Sequence, residues 1–231
     1  MEVAALYDVH GNLPALEAVL GELEREEIDA VVFGGDLTWG PLPQETLALA
    51  RSVTGARFVR GNCDRDPSDW ERSCLSTEEI AFLQGLPEAV ELDGVLYCHA
   101  MPRSDEEVVT PATPDERLGE ILAGVRQHTV VAGHTHMQQD RRVGNVRFVN
   151  AGSVGLPYEG EVAAFWALVE GADVELRKTP LDHGRLSDLF RQSRWPEAPK
   201  VLRENVLQPV TREQATAELE GRELAIFVTP P

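Results

Sequence analysis

The sequence predicts an α/β fold in which a parallel β-sheet packs against a second β-sheet. Short apolar runs alternate with helical patterns over the first 60 residues, an order that produces a parallel sheet. Three strand patterns, residues 147–150, 162–169 and 174–177, come later and are separated by glycine-containing turns. Short strands linked in this way favour antiparallel pairing, so we expect them to form the second sheet.

The parallel sheet is predicted from three strands and two helices. Residues 3–8 form the first predicted strand, and Asn12 then caps a helix. The apolar positions of this helix recur at helical spacing, at Leu13, Leu16, Val19, Leu20 and Leu23. Two further strands, residues 31–33 and 57–59, enclose a helix over residues 43–51. Right-handed crossovers join such units, so we expect the three strands to run parallel.

A change of composition marks an insert after the third strand. Residues 64–92 are polar and are predicted to be helical. Further strands are predicted at residues 95–98 and 129–132. Between them, Thr113 and Glu116 have the spacing of a capping box, which predicts a helix that ends near Gly124.

The domain organisation is predicted to be one domain with a tail. Residues 1–180 form the domain, and residues 181–231 form a helical extension packed on it. The extension contains a predicted helix at residues 183–192 and another that Thr211 opens and Gly221 closes. Since no cluster of metal-binding residue types occurs in its sequence, we expect it to cover the core or an oligomer interface, as in a homo-oligomer.

Composition places the chain among soluble globular proteins. It has 231 residues, of which 42% are hydrophobic and 26% charged. Its apolar runs are too short to cross a membrane, and a strand pattern at the very start leaves no room for a signal peptide. We therefore expect a cytoplasmic protein. The cysteines, Cys63, Cys74 and Cys98, are odd in number and scattered, which argues against a disulfide framework.

Side chains that bind metal ions stand at the ends of the predicted strands. There are seven of them: Asp8, His10, Asp36, Asn62, His99, His134 and His136. The carboxyl ends of parallel strands share one edge of a sheet, so these side chains should converge. Imidazole with carboxylate and amide oxygens suits Mn, Fe, Co, Ni or Zn, whereas Mg and Ca prefer oxygen alone. Seven ligands are too many for one ion and suit two ions bridged by a carboxylate.

Each of these residues alone would be more simply explained as a turn carboxylate or a structural histidine. Their joint placement reverses that preference and favours the metal hypothesis. His128 and His183 lie outside the pattern and are expected to be ordinary histidines at the surface or at a helix end.

The formal net charge of −18 restricts the partners of the protein. It disfavours binding to a long nucleic acid or to an anionic membrane. Two bound divalent cations would reverse the potential locally, so a small phosphorylated substrate is expected.

These motifs resemble those of the calcineurin-like metallophosphoesterase superfamily. The similarity spans roughly residues 3–180 and rests on five motifs in order: Asp8-x-His10, Gly35-Asp36, Gly61-Asn62, His99 and Gly133-His134-x-His136. Further matches resemble the small bacterial phosphodiesterase branch: Gly61-Asn62-Cys63-Asp64, His99-x-x-Pro102 and Asn150-x-Gly152-Ser153-Val154-Gly155. The resemblance implies a four-layer αββα sandwich of two mixed sheets flanked by helices.

The resemblance also implies a role for each ligand. Asp8, His10 and His136 would hold one metal ion, and Asn62, His99 and His134 the other. Asp36 would bridge them, and Asp36, Asn62 and His99 would be catalytic. A hydroxide shared by the two ions would attack phosphorus in line with the leaving group. Mn²⁺ is the expected metal, with Fe, Ni, Co or Zn as alternatives.

Three residues are candidates for substrate binding. Cys63 stands where many relatives have a histidine that protonates the leaving group, and a thiol is a poorer proton donor, so activated leaving groups should suffer least. Cys63 is alternatively a buried packing residue. Arg103 could contact a phosphate or lie solvated in a loop. Asn12, beside the first motif, is the third candidate. Asp64 is expected to orient the loop or a neighbouring ligand.

The sequence therefore predicts a dinuclear metal-dependent phosphodiesterase acting on small-molecule or nucleotide diesters. Alternatives within the same chemistry are a phosphomonoesterase, a phosphoprotein phosphatase and a dinucleoside-polyphosphate hydrolase. A different alternative is a binding scaffold without catalysis, because a retromer subunit resembles this fold. The presence of all seven ligands favours the enzyme, and Cys63 favours the scaffold.

Overall fold

The computed structural model describes residues 1–228, with side chains up to residue 221. The strands are β1 Glu2–Leu6, β2 Ala30–Phe33, β3 Ala56–Phe58, β4 Ala89–Leu92, β5 Val95–Cys98, β6 Thr129–Ala132, β7 Gln139–Val143, β8 Val146–Asn150, β9 Ala163–Glu170 and β10 Asp173–Pro180. The helices are α1 Leu13–Leu23, α2 Pro43–Ser52, α3 Asn62–Arg65, α4 Asp69–Cys74, α5 Thr77–Gln84, α6 Asp115–Ile121, α7 His183–Gln192, α8 Ala198–Val201 and α9 Arg212–Val228, with a π-helix at Leu202–Leu207 between α8 and α9.

The strands form two five-stranded sheets, each of them mixed. The first has the order β10-β9-β1-β2-β3, and the second has the order β4-β5-β6-β8-β7. Strands β1, β2 and β3 run parallel, as do β5, β6 and β8. The antiparallel pairs are β9 with β1, β10 with β9, β4 with β5, and β7 with β8. The register of β1 on β2 places Leu6 opposite Phe33, so both strands end at the same edge.

Alternation along β1 explains how the sheets stack. Successive side chains of a strand point to opposite faces, so Val3 and Ala5 face the second sheet while Ala4 and Leu6 face helices α1 and α2. A third apolar cluster, around Phe148, lies between the second sheet and α6. Fully burying each such aliphatic or aromatic side chain stabilises the fold by about 1.5–3 kcal/mol. The predicted four-layer arrangement of helices, two sheets and helices is confirmed.

The assignment of the later strands to the second sheet was wrong in part. Strands β9 and β10 extend the first sheet, where β9 pairs antiparallel with β1. Strand β8 does join the second sheet, where it pairs parallel with β6 and antiparallel with β7. The expected antiparallel pairing also holds between β9 and β10. Strand β9 is buried on both faces up to Val169, which suits a place inside a sheet. An apolar pattern reveals such burial without identifying the partner strand.

Several local boundaries also differ from the prediction. The insert at residues 64–92 contains α4 and α5, but its last four residues form β4 and pair with β5. Strand β7 was missed because its residues are mostly charged. The capping box predicted at Thr113 and Glu116 does not form: Pro114 is the N-cap of α6, and the Thr113 hydroxyl accepts a hydrogen bond from Thr110 N at 2.9 Å. Helix α9 continues through Gly221, where no left-handed turn occurs.

The C-terminal extension packs on the rest of the chain through apolar side chains. Phe190, Trp195 and Val206 of the extension cluster with Leu156 and with half-buried Trp39. Trp195 meets Trp39 edge-on, with ring centroids 4.8 Å apart. Among the described residues, no helix is both long enough and apolar enough to cross a membrane.

Candidate metal centre

The seven predicted ligands lie in loops at the carboxyl ends of parallel strands from both sheets. Asp8 and His10 follow β1, Asp36 follows β2, and Asn62 begins α3 after β3. In the second sheet, His99 follows β5, and His134 and His136 follow β6. Because the two sheets are stacked with these edges together, tertiary packing brings residues from five loops into one cluster, in which all but half-buried Asn62 and His134 are buried.

Backbone strain is concentrated in these loops. Asp8, His10, Asp36, His134 and His136 all have positive φ, between 50° and 67°. Only one other non-glycine residue of the described chain, Asp93, shares this conformation. A left-handed conformation costs a non-glycine residue about 1–2 kcal/mol, and such strain clusters at functional sites.

Glycines allow the loops to approach one another. A Cβ added at Gly61 would lie 2.1 Å from Asp36 Oδ1, and one at Gly133 would lie 2.3 Å from Asp8 Oδ2. Both distances are far below contact, so only glycine fits at these positions. The motif glycines therefore place backbone directly against the two carboxylates.

The first group of donor atoms belongs to Asp8, His10 and His136. His10 Nε2 lies 3.2 Å from His136 Nε2, and Asp8 Oδ1 lies 3.3 Å from His136 Nε2 and 3.7 Å from His10 Nε2. All three side chains are buried. The geometry brings together the set that the sequence had assigned to one ion.

The second group surrounds His99. Its Nε2 lies 3.0 Å from Asn62 Oδ1 and 3.6 Å from Asp36 Oδ1. The other oxygen of Asp36, Oδ2, lies 3.9 Å from His10 Nε2, so the two oxygens of this carboxylate face the two groups. His134 contacts this group through its ring, whose centroid is 5.2 Å from that of His99. Among the described residues, two compact sets of donor atoms occur, Asp8 with His10 and His136, and Asp8 with Asp36 and His99; His134 belongs to neither.

Backbone carbonyls fix the orientation of three of the imidazoles. The pairs are His10 Nδ1 with Trp39 O at 3.2 Å, His99 Nδ1 with Gly34 O at 2.9 Å, and His136 Nδ1 with Leu156 O at 2.6 Å. A carbonyl oxygen can only accept, so each Nδ1 carries the proton, and each Nε2 points into the cluster. This second hydrogen bond is the usual device that orients histidines bound to metal.

The donor atoms suit cations. Neutral His10 and His136 would direct Nε2 lone pairs at each other across 3.2 Å, and the buried Asp8 Oδ1 receives no hydrogen bond. When His99 is neutral and its proton is on Nδ1, its Nε2 and Asn62 Oδ1 likewise face each other as acceptors. Buried acceptors without a donor are costly, and positive charge between them removes that cost. The residues present therefore fit divalent metal ions.

Burial and mutual charge shift the pKa values of the cluster. Burial lowers the pKa of His10 to about 4, and neighbouring His136 adds to this effect. Burial acts in the same direction on His99 and His136, but the nearby carboxylates hold their pKa above the usual value. Burial alone would raise the pKa of Asp8 and Asp36, yet the surrounding imidazoles bring it below its usual range. The carboxylates are therefore ionised at neutral pH.

Asp64 holds two of the loops together. Its Oδ2 accepts hydrogen bonds from Asp36 N at 2.7 Å and Gly61 N at 2.9 Å, and its Oδ1 accepts one from Leu37 N at 3.2 Å. Burial and the Asp36 carboxylate raise the pKa of Asp64 to about 7. Its contacts are to backbone, which is the orienting position that the sequence predicted.

The three candidate substrate residues occupy different environments. Asn12 is 1% exposed: its Oδ1 accepts from Ala15 N, and its Nδ2 donates to Gly155 O at 2.9 Å. The Cys63 backbone N–H donates to Asp36 Oδ1 at 2.9 Å, and burial raises the pKa of its thiol. Arg103 is exposed and makes two hydrogen bonds to Glu107. Both polar groups of Asn12 are thus used to hold the fold.

The sequence did not identify two aromatic residues beside the cluster. The Tyr158 ring stacks on His136 with centroids 4.9 Å apart, and Trp39 meets His10 edge-on at 5.4 Å. Trp39 lies three residues after Asp36 in the sequence, and this closeness to a ligand motif could have indicated that Trp39 lies beside the cluster. Tyr158 reaches the cluster only through tertiary packing.

A cavity of about 320 Å³ opens beside His99. Three arginines and three acidic residues are among its lining residues: Arg60, Arg65, Arg103, Glu88, Asp105 and Glu106. Arg65 pairs with Asp105 and Glu106 at 2.6 Å, and Arg60 pairs with Glu88 at 2.9 Å. The sequence analysis had singled out only Arg103 among the three arginines.

Comparison with known proteins places these motifs in a family. Residues 1–171 match the model of the calcineurin-like phosphoesterase superfamily domain. Phosphodiesterase YfcE of Escherichia coli K12 is 24% identical over 188 residues, which cover 73% of this chain and 87% of YfcE.

Solved structures share the fold. A metallophosphoesterase from Sphaerobacter thermophilus superposes with a TM-score of 0.75 at 23% identity, covering 87% of this chain and 97% of that one. Vps29 from Entamoeba histolytica superposes with a TM-score of 0.50 at 19% identity, covering 79% of this chain and 100% of that one.

Proposed function

The chain belongs to the calcineurin-like phosphoesterase superfamily, and on that basis we propose that it is a dinuclear metal-dependent phosphodiesterase of small-molecule or nucleotide diesters. The observation that carries the proposal is the pair of facing donor sets with Asp36 between them. In the first set the buried Asp8 Oδ1 receives no hydrogen bond, and neutral His10 and His136 would direct Nε2 lone pairs at each other, so positive charge would satisfy these acceptors.

The proposed ligands for the first ion coincide with one compact donor set, and those for the second combine the geometry around His99 with the family resemblance. Asp8, His10 and His136 would hold the first ion, Asn62, His99 and His134 would hold the second, and Asp36 would bridge them. Nitrogen in both sets favours Mn²⁺, with Fe, Ni, Co or Zn as alternatives. When bound, such ions neutralise charge on phosphoryl oxygens and make water a stronger nucleophile near neutral pH.

The residues of the chain supply positioning. The carbonyls of Gly34, Trp39 and Leu156 hold three imidazoles in the tautomer that leaves Nε2 free. Asp64 and the Cys63 backbone N–H hold Asp36. Such prearranged ligands need little reorganisation during reaction, which is the main protein contribution to phosphoryl transfer.

The substrate is proposed to be small and phosphorylated, with its departing part in the cavity beside His99. The two bonds from Arg103 to well-buried Glu107 make that arginine a structural one. Arg60 has a strongly exposed partner in Glu88, and exposed pairs exchange at little cost. Arg65 has one exposed partner, Glu106, and one that is 18% exposed, Asp105. These two arginines are therefore better suited to meet substrate charge. We also propose a cytoplasmic location and a homo-oligomeric state. A long nucleic acid or a membrane is not proposed as a partner.

The second candidate function is a binding scaffold. Vps29 shares the fold, and in this chain Cys63 occupies the position of the motif histidine. Burial keeps the Cys63 thiol neutral, so it is a weak candidate for protonating a leaving group. A scaffold would hydrolyse nothing when loaded with metal and would copurify with a partner in fixed ratio.

One experiment tests these proposals. Metal-stripped protein is titrated with Mn²⁺ or Mg²⁺ and assayed on bis-p-nitrophenyl phosphate and p-nitrophenyl phosphate, with Asp36→Asn as control. We expect Mn²⁺-dependent turnover that favours the diester and is absent from the variant. Preference for the monoester would support a phosphomonoesterase, and restoration by Mg²⁺ alone would contradict the nitrogen-rich sites. Full activity of the variant with two ions bound would refute the bridging role of Asp36.

A further inference from the structure

His136 is held in place by the loop segment 156–160, which we call the strap. The Leu156 carbonyl accepts from His136 Nδ1 at 2.6 Å, and Tyr158 N donates to His136 O at 3.1 Å. The Tyr158 ring stacks on the imidazole at an interplanar angle of 23°. The strap therefore fixes the backbone, the ring plane and the tautomer of this residue.

The C-terminal extension in turn forms hydrogen bonds with the strap. Asn205 Nδ2 donates to Pro157 O at 3.1 Å, and Gly160 N donates to Val210 O at 2.9 Å. These bonds join the strap to the π-helix, through Asn205, and to the segment between the π-helix and α9, through Val210. The strap is thus attached on one side to His136 and on the other to the tail of the chain.

Arg212, the first residue of α9, forms the strongest of these attachments. Its Nη1 donates to both oxygens of Glu159 in the strap, at 2.7 and 2.8 Å, and its Nη2 donates to Gln138 O at 2.8 Å. Gln138 lies two residues after His136, and its N–H also donates to Glu159 Oε1 at 2.6 Å. One guanidinium therefore connects the strap to the chain that carries His136.

The environment of this ion pair distinguishes it from ordinary surface pairs. The Glu159 side chain is 9% exposed and that of Arg212 is 36% exposed, whereas in the Arg203–Glu204 pair the values are 35% for the acid and 60% for the arginine. Charge-assisted bonds in such partly buried sites hold geometry well. His136 needs outside support, because its φ of 57° is unfavourable for a residue with a side chain.

We propose that Arg212 is a positioning residue for the metal centre and that it acts on His136 through Glu159, Gln138 and the strap. The inference rests on the proposed role of His136 as a metal ligand. It makes the C-terminal extension part of the site rather than a cover of the core. Loss of a residue that orients a metal ligand usually weakens metal binding about 10- to 100-fold.

The test compares Arg212→Met with Arg203→Met, a matched change at the exposed arginine of the same extension. Calorimetric titration with Mn²⁺ is run on metal-stripped protein, and His10→Ala identifies the binding event that belongs to the first ion. We expect Arg212→Met to weaken that event about 10- to 100-fold and to spare the second. Arg203→Met should bind both ions as the wild type does, and Arg212→Lys should recover part of the loss by pairing with Glu159. Equal weakening of both events would show a general defect of folding and would overturn the proposal, as would wild-type binding by Arg212→Met.

A second readout does not depend on bound metal or on turnover. Nitrogen NMR of the His136 imidazole reports which ring nitrogen carries the proton. At a pH high enough to keep the imidazole neutral, we expect the Nδ1–H form in the wild type and a mixture of tautomers in Arg212→Met, and an unchanged spectrum would overturn the proposal. If the wild type binds two ions yet hydrolyses no phosphoester, the proposed function fails while this inference stands. If hydrolysis occurs and Arg212→Met behaves as wild type, only this inference fails.

Discussion

Replacing Asn12 should destabilise the fold, because its side chain joins two distant parts of the chain. Its Oδ1 caps α1 by accepting from Ala15 N at 3.3 Å. Its Nδ2 donates to Gly155 O at 2.9 Å, where the loop after β8 crosses the turn after β1. Asn12→Ser keeps a capping oxygen but is too short for Gly155, whereas Asn12→Ala removes both interactions.

The magnitude follows from these two bonds. Losing a helix cap costs about 1 kcal/mol, within a range of about 0.5–2 kcal/mol. Leaving a buried carbonyl such as Gly155 O without its donor costs about 1–3 kcal/mol. Asn12→Ser should therefore lower the free energy of unfolding by about 1–3 kcal/mol, and Asn12→Ala by about 2–4 kcal/mol. For a chain of this size, the loss of free energy expected for Asn12→Ala corresponds to a fall in Tm of about 4–16 °C.

Urea and thermal unfolding of metal-stripped protein would measure both variants. Asn145→Ala, in the exposed turn between β7 and β8, is the matched control and should stay within about 0.5 kcal/mol of wild type. If Asn12→Ala also stayed within that margin, the two hydrogen bonds of the Asn12 side chain would make no measurable contribution to the free energy of unfolding. If such a stable variant showed a raised KM with unchanged kcat, Asn12 would be a substrate-binding residue rather than a structural one.

Three further outcomes are expected. Cys63→His should raise turnover of alkyl phosphodiesters more than that of p-nitrophenyl diesters, because only a poor leaving group needs a proton donor; an equal change in both would contradict this reasoning. Arg65→Gln should raise the KM for a small diester about 2- to 10-fold, while Arg57→Gln, outside the cavity, leaves it unchanged; equal KM values in the two variants would remove Arg65 from the substrate site. In metal-free protein, the pKa values of His99 and His136 are raised above 6.5, so protonation of these side chains stabilises the folded state. This contribution to the free energy of unfolding is complete below pH 6.5 and is lost as the pH rises through the folded-state pKa values. Thermal unfolding between pH 7 and 9 should therefore show falling stability, and constant or rising stability would refute it.

The strand-end motifs made the cluster predictable because they are local features. An apolar run followed by glycine and a carboxylate, as before Asp36, specifies both a buried strand and the residue at its end. The rule that parallel strands share a ligand-binding edge then brings such residues together without knowledge of coordinates. The capping role of Asn12 was predictable for the same reason, since it depends on the next three residues.

Strand partners and the strap could not be predicted from such patterns. The apolar residues of β9 indicate burial, but its place beside β1 depends on competition among all strands of the fold. Likewise, nothing near Arg212 in the sequence indicates Glu159 as its partner, because the contact joins segments that meet only after the sheets have packed.

The chemical identity of the candidate ligands and their position at strand ends are local features of the amino-acid order. How those ligands are held depends on the folded chain: which carbonyl binds each Nδ1, and how Asp64, Tyr158 and Arg212 support the loops. Strand and turn preferences act over a few neighbouring residues. Orientation of a buried side chain depends on hydrogen bonds and packing between segments that are distant along the chain.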